Sequence, residues 1–227
     1  MQNTRVKLSS NQKRFFAELV GTFMVVVFAT GSVVINAQHE GQIGVWFEAF
    51  APFAAVTLMV YAFGKTSMAH FNPAVTITFL ITKHMPKNQL FIYLSAEFIG
   101  AFLASLFVKF VIGTDANLGA NAPNYSYPLP IIFGVEVLAT ILLLAVILAV
   151  VHTKGLRGGS GLAIGGIVGL DILFLSFISG ASMNPIRALA PAVLSGFLND
   201  LWLYWSATFV GAVIVAGIYR KKFAKTI

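Results

Sequence analysis

Mostly apolar residues run for 18 or more positions at a time in six places, at roughly 13–37, 44–64, 88–112, 130–152, 159–179 and 199–220. Each run is long enough to cross a hydrocarbon core about 30 Å thick as an α-helix. The first follows Lys13 and Arg14 and lacks a small-residue cleavage pattern, so it reads as a retained helix and not as a signal peptide. Two further apolar runs, 74–82 and 186–194, are too short by half to span, and each follows an Asn-Pro pair. Proline suits the first helical turn, where its missing N–H leaves nothing unpaired, and the asparagine before it sits at the N-cap. The pattern predicts an all-α membrane protein with six transmembrane helices and two re-entrant half-helices, which bring Asn72 and Asn184 together near the bilayer midplane.

The six runs divide into three plus three, and the halves share local sequence. Ala17-Glu18-Leu19-Val20-Gly21-Thr22-Phe23 opens the first run, and Val135-Glu136-Val137-Leu138-Ala139-Thr140-Ile141 lies in the fourth. His70-Phe71-Asn72-Pro73-Ala74-Val75 follows the second run, and Ser182-Met183-Asn184-Pro185-Ile186-Arg187 follows the fifth. An odd number of spans per half inverts the second copy, so residues 1–227 read as one channel domain built from inverted repeats over 13–112 and 129–222. The stretch 113–128, with three Asn and several Pro or Gly breaks, reads as an extracellular linker between them.

Composition agrees: 58% of residues are hydrophobic and only 10% charged, against about 25% charged in ordinary soluble domains. The net charge of +7 does not indicate a nucleic-acid partner, because its distribution follows topology. With the N-terminus inside, every one of the 15 Lys and Arg except Lys109 and Arg187 falls on the cytoplasmic side, from Arg5 and Lys7 to Lys225. Both termini are therefore expected in the cytoplasm of a multi-pass cell-membrane protein. No Cys is present, His84 and His152 carry no metal-ligand pattern, and no cofactor is indicated.

Irregular backbone at membrane depth is tolerated only where protein buries it or water wets it. The segments 65–71 and 179–183 are thus expected to line a wet path, with carbonyls of Ala69, His70, Phe71, Gly180, Ala181 and Ser182 as acceptors and the two Asn amides as donors. The half-helix N-termini, each with roughly half a positive charge, oppose cations and protons while orienting water. Arg187 is the cation of the outer re-entrant segment and a functional candidate on that ground.

The chain resembles the aquaporin and glycerol-facilitator family over essentially its whole length. The resemblance rests on Ala17-Glu18, on Gly64 through Thr76, on Glu136, and on Ser179-Gly180-Ala181-Ser182-Met183-Asn184-Pro185 with Arg187. It implies one pore per subunit in a homotetramer. Asn72-Pro73-Ala74 and Asn184-Pro185-Ile186 would form the pore centre, Arg187 the outer constriction, and Glu18 and Glu136 the acceptors that brace the loops. Counting along the family pattern gives Pro52, Ile172 and Ala181 as the other filter positions; a one-residue shift caused by a proline kink would put Phe53 in place of Pro52.

Ile172 stands where water-selective members commonly have histidine, which implies a less restrictive filter open to ammonia, urea, hydrogen peroxide or small polyols. Ala188 and Ala192 lack the Asp and Lys typical of glycerol facilitators, and Tyr204-Trp205 resembles the aromatic pair of water channels. The expected permeants are water and, second, small neutral solutes. Ile186 departs from the usual Ala, which alters packing volume more than hydrogen bonding.

Glu97 sits where the family often has Gln and is expected to brace its surroundings. Asp171 has three open readings: bracing Arg187, lining the filter, or facing a neighbouring subunit. Glu48 lies either at the outer mouth or at a solvated helix end. Two rival classes follow from the same residues. A secondary active transporter would use Asp171, Glu97, Glu18 and Glu136 as coupling sites; an intramembrane enzyme would need a Ser-His, paired-Asp or metal constellation, and none is seen.

Overall fold

The computed structural model describes residues 8–223, so Arg5, Lys7 and Lys225 of the charge argument lie outside the described residues. Among these, six helices are long and apolar enough to cross a membrane. The long helices are α1 (Ser10–Gln38), α2 (Val45–Ser67), α4 (Leu90–Phe107), α6 (Leu129–His152), α7 (Ser160–Ser179) and α9 (Leu201–Phe223). A five-residue π turn, Val108–Ile112, continues α4. The half-helices are α3 (Pro73–Ile81) and α8 (Pro185–Ser195), and α5 (Asp115–Gly119) is a single turn in the linker.

Local chemistry sets the ends. Ser9 and Gln12 form a capping box at the start of α1. Asn72 and Asn184 cap α3 and α8 through their side-chain oxygens, with a proline at the first helical position of each. The far end of α8 receives Lys109, whose Nζ lies 3.1 Å from the Leu194 carbonyl oxygen, where a helix dipole favours a cation.

The packing of the first half repeats in the second. Helix α1 packs on α2 and α4, as α6 packs on α7 and α9; α3 crosses to α9, as α8 crosses to α4; and α2 meets α7 at the centre. This is an inverted repeat of three plus three spans, as the sequence implied. Close approach at two equivalent crossings needs glycine. A Cβ on Gly100 of α4 would lie 2.5 Å from the Leu19 carbonyl oxygen, and one on Gly211 of α9 would lie 2.9 Å from Thr140 Cβ. A Cβ on Gly217 of α9 would meet nothing within 4 Å among the described residues. Large apolar side chains such as Phe91, Phe110 and Trp46 point outward, which suits a lipid surround.

Candidate functional site

The two irregular loops are built alike. After α2, Met68, Ala69 and Phe71 have positive φ; after α7, Gly180, Ala181 and Met183 do. Non-glycine residues in this region each cost about 1–3 kcal/mol and persist only where the surroundings over-determine them. Here the constraint is a carboxylate beneath each loop. Glu18 accepts from the backbone N–H of His70 (3.0 Å) and Phe71 (2.7 Å). Glu136 accepts from Ser182 N–H (3.2 Å), Met183 N–H (2.7 Å) and the Ser179 hydroxyl (2.9 Å). Turning the amides toward the carboxylates sends the carbonyls the other way. Those of Ala69, His70, Ala181 and Ser182 meet no donor among the described residues, and these residues line a cavity. The Phe71 and Gly180 carbonyls, expected to serve the path as well, are instead taken up by the Asn184 and Asn121 amides at 3.0 and 2.9 Å.

Each loop is also tied to the end of the helix before it. Ser67 Oγ accepts from Ala69 N–H at 3.2 Å, and Ser179 Oγ from Ala181 N–H at 3.1 Å. Tyr93 donates to the Ser67 carbonyl at 2.8 Å, and Tyr204 to the Ser179 carbonyl at 2.6 Å. Sequence reasoning missed this tyrosine pair: the two residues share no local motif, and only their buried positions on α4 and α9 relate them. The first loop begins at Met68 and not at residue 65, because α2 remains helical through Ser67, whose carbonyl Tyr93 holds.

The half-helix ends meet. Asn72 Oδ1 accepts from Ala74 N–H at 2.8 Å and its Nδ2 donates to the Met183 carbonyl at 2.8 Å. Asn184 Oδ1 accepts from Ile186 N–H at 3.1 Å and its Nδ2 donates to the Phe71 carbonyl at 3.0 Å. Each amide group has two N–H bonds, so one braces the opposite loop and one remains for the cavity. Ile186 is buried against Val26, Ala101 and Ala104, so its extra volume is taken up by small residues of α4.

The cavity measures about 60 Å³ and is lined on one side by Val25, Val56, Val60, Leu143, Ile147 and Val168. That volume admits molecules the size of water. Pro52, Ile172, Ala181 and Arg187 all line it. Phe53 does not: its Cβ would meet a Cβ on Gly169 of α7 at 3.1 Å, and its ring packs against Phe50. The alternative of a one-residue shift is therefore corrected. Pro52 faces the cavity, and Phe53 of α2 packs toward Gly169 of α7.

A second cavity of about 410 Å³ lies outside the first, lined by Glu48, Asn117, Asn121, Ser176, Phe177 and Gly180 among others. Arg187 lines both, which places it at the throat between vestibule and lumen. It is buried, its Nη2 donates to the Ala29 carbonyl at 3.2 Å, and its Nη1 donates to Asn121 Oδ1. Glu48 thus lines the wider cavity, where its carboxylate accepts from Asn36 Nδ2 at 2.6 Å.

Asp171 fits none of its three readings. It is buried within the chain, lines neither cavity, forms no ion pair with Arg187, and its Oδ2 meets no partner. The register of α7 turns Ile172 to the lumen and its neighbour away from it. Glu97 accepts from Thr76 Oγ1 at 2.6 Å, and Thr76 Oγ1 lies 2.8 Å from His70 Nδ1, so Glu97 braces the first loop from behind.

A sequence profile of the major intrinsic protein family matches residues 5–219. Aquaporin NIP3-1 of Oryza sativa subsp. japonica is 35% identical over 208 residues, 91% of this chain and 67% of that protein. Aquaporin NIP3-1 of Arabidopsis thaliana is 37% identical over 214 residues, 91% of this chain and 66% of that protein. The chain thus spans about two thirds of the length of these relatives. Among solved structures, the aquaglyceroporin from Plasmodium falciparum superposes with a TM-score of 0.75 at 23% identity, covering 94% of this chain and 95% of that one, which shows a shared fold. With its two capped half-helices, paired carboxylates and profile match, the chain belongs to the major intrinsic protein family, whose members are membrane channels and not enzymes.

Proposed function

We propose that this chain is a passive channel for water, with small neutral solutes as secondary permeants, that excludes ions and protons. The observation that carries the reading is the meeting of Asn72 and Asn184 on a narrow lumen whose throat holds Arg187. Water finds acceptors along the loop carbonyls and donors at the two amides, so its hydration is replaced as it passes. A cation meets Arg187 and two helix N-termini, and no carboxylate lines the lumen to offset them. A chain of protons is interrupted at the centre, where both asparagines donate and orient the central water away from its neighbours.

The broader permeability rests on the throat. Pro52, Ile172 and Ala181 offer no hydrogen bond from their side chains, so Arg187 and loop carbonyls supply all the polarity there. Such a throat discriminates by width more than by hydrogen bonding, which favours compact neutral molecules such as ammonia, urea, hydrogen peroxide and small polyols. Active transport is disfavoured, since coupling calls for an ionisable site on the path and Glu18 and Glu136 are both committed to loop N–H groups. The remaining features of the reading are a cell-membrane location, both termini in the cytoplasm, a homotetramer with one pore per subunit, and repeat boundaries at 13–112 and 129–222.

Stopped-flow light scattering on proteoliposomes tests the reading. Fast shrinkage under an impermeant osmolyte, insensitive to proton and sodium gradients, is the expected result. Re-swelling under glycerol or urea would establish the secondary permeants, and shrinkage no faster than in empty vesicles would sink the water channel.

A further inference from the structure

The linker between the two halves carries a strained turn beside the throat. Ala116, Asn117 and Leu118 of α5 have φ and ψ of 47 and 41, 52 and 46, and 60 and 30°, three successive non-glycine residues in the left-handed region. Each such residue costs roughly 1–2 kcal/mol relative to the right-handed form. Two contacts hold the turn. Leu118 is 1% exposed, and Gly119, with φ of +67°, sits so close to α1 that a Cβ there would lie 2.4 Å from the Thr30 carbonyl oxygen. Farther on, Asn124 donates from its backbone to the Ile178 carbonyl at 3.0 Å and from its side chain to the Phe177 carbonyl at 3.1 Å. The linker is thus docked on α1 at one end and on the end of α7 at the other.

Between those anchors stands Asn121, 7% exposed. Its Oδ1 accepts from Arg187 Nη1, and its Nδ2 donates to the Gly180 carbonyl at 2.9 Å. The amide cannot be reversed, since a guanidinium only donates and a carbonyl only accepts. One side chain therefore holds both polar walls of the throat. Without it, the Arg187 guanidinium would retain one hydrogen bond among the described residues, to Ala29, and could rotate about it; the Gly180-Ala181 backbone would lose its tether to the linker.

We propose that Asn121 is a specificity-determining positioning residue, which sets the width and polarity of the throat by clamping Arg187 and Gly180. The inference rests on the reading of Arg187 as the throat of a neutral-solute channel. Asn121 acts through these two groups and need not touch the permeant. A strained linker turn is the consequence expected of a segment held for function, since the same connection could be made by relaxed backbone.

The test compares the full chain with Asn121→Ala, Asn121→Asp and Asn124→Ala in proteoliposomes, reading the ratio of urea or glycerol permeability to water permeability, and 15N resonances of the Arg187 Nη groups in the same membranes. Asn121→Ala is expected to raise the ratio several-fold and to shift the Nη resonances. Asn121→Asp keeps the acceptor and loses the donor, so it is expected to keep bonded Nη resonances while raising the ratio by less. Asn124→Ala loosens the linker without touching the clamp and is expected to change neither. A parent-like ratio in both Asn121 variants, or an equal shift in Asn124→Ala, overturns the proposal. If Asn121→Ala does not yield folded protein, Asn121→Asp decides alone, and a parent-like ratio in it counts against the clamp. Absence of flux in the parent would sink the channel reading, while the Nη resonances would still show whether Asn121 fixes Arg187.

Discussion

Asn184 Nδ2 lies 3.0 Å from the carbonyl oxygen of Phe71, which belongs to the other half of the chain. The same amide group caps α8 through its oxygen, so Asn184 fastens its own half-helix and the opposing loop at once. The two roles are separable by substitution. Asn184→Ser keeps a capping oxygen and loses the cross-loop bond, a loss of about 1 kcal/mol. Asn184→Ala loses the cap as well, about 1 kcal/mol more. Unfolding titrations in detergent should therefore rank the parent above Asn184→Ser and Asn184→Ser above Asn184→Ala. Equal destabilisation of the two variants would mean that the cap contributes nothing, and a parent-like Asn184→Ser would mean that the cross-loop bond contributes nothing.

Glu18 and Glu136 are predicted to tolerate even a conservative change poorly. Replacing Glu136 by Gln puts an amide N–H against one of the donors it now accepts from, Met183 or Ser182, and leaves that donor unsatisfied in the interior. The expected loss is about 1–3 kcal/mol. It should appear as a lower melting temperature and a fall in water flux together, because the Ser182 and Met183 backbone is itself cavity lining. Glu18→Gln should behave in the same way through His70 and Phe71. Preserved stability in both variants would show that the loops hold their shape without the carboxylates.

Much of this was legible in the chain. Uninterrupted apolar runs mark the spans because lipid demands them, and Asn-Pro before a half-length run marks a capped helix that cannot cross. Glu18 and Glu136 stood out as carboxylates at matching places in the two repeats, and the family resemblance supplied their role as loop acceptors. Asn121 did not stand out: in the linker it is one Asn among three, and its meaning depends on a left-handed turn held in part by burial of Leu118 and close approach to Thr30. The choice between Pro52 and Phe53 turned on the rotation of α2 against α7, which is set by the glycines of α7 and not by α2 itself.

Arg187→Ala is predicted to convert the throat from a charged to an apolar constriction. The Ala29 carbonyl and Asn121 Oδ1 lose their donor, and the cationic barrier to ions is reduced to the two half-helix N-termini. Water flux should persist, re-swelling under urea and glycerol should quicken, and proton leak under an imposed pH gradient should become measurable with an entrapped dye. A variant whose urea and glycerol re-swelling and proton leak match the parent's would place selectivity elsewhere.

At the other end of the bundle, His84 follows α3 and packs against Tyr219 of α9, with ring centroids 5.4 Å apart. Its Nδ1 lies 2.8 Å from Thr82 Oγ1 and its Nε2 3.5 Å from the Tyr219 hydroxyl, which in turn lies 3.1 Å from His152 Nδ1. Burial, and then the neighbouring His152, push the His84 imidazole below its ordinary value of 6.5. The sign follows directly. The folded protein binds the proton less readily than the unfolded chain, so the stability present above the ordinary imidazole range is lost as pH falls through it toward the depressed folded value. Lowering the pH from about 7.5 to about 5 should therefore reduce the melting temperature, and His84→Gln should flatten that dependence while leaving the value at the higher pH near the parent's. A pH slope that is unchanged in His84→Gln would assign the loss to other groups and remove His84 from the account.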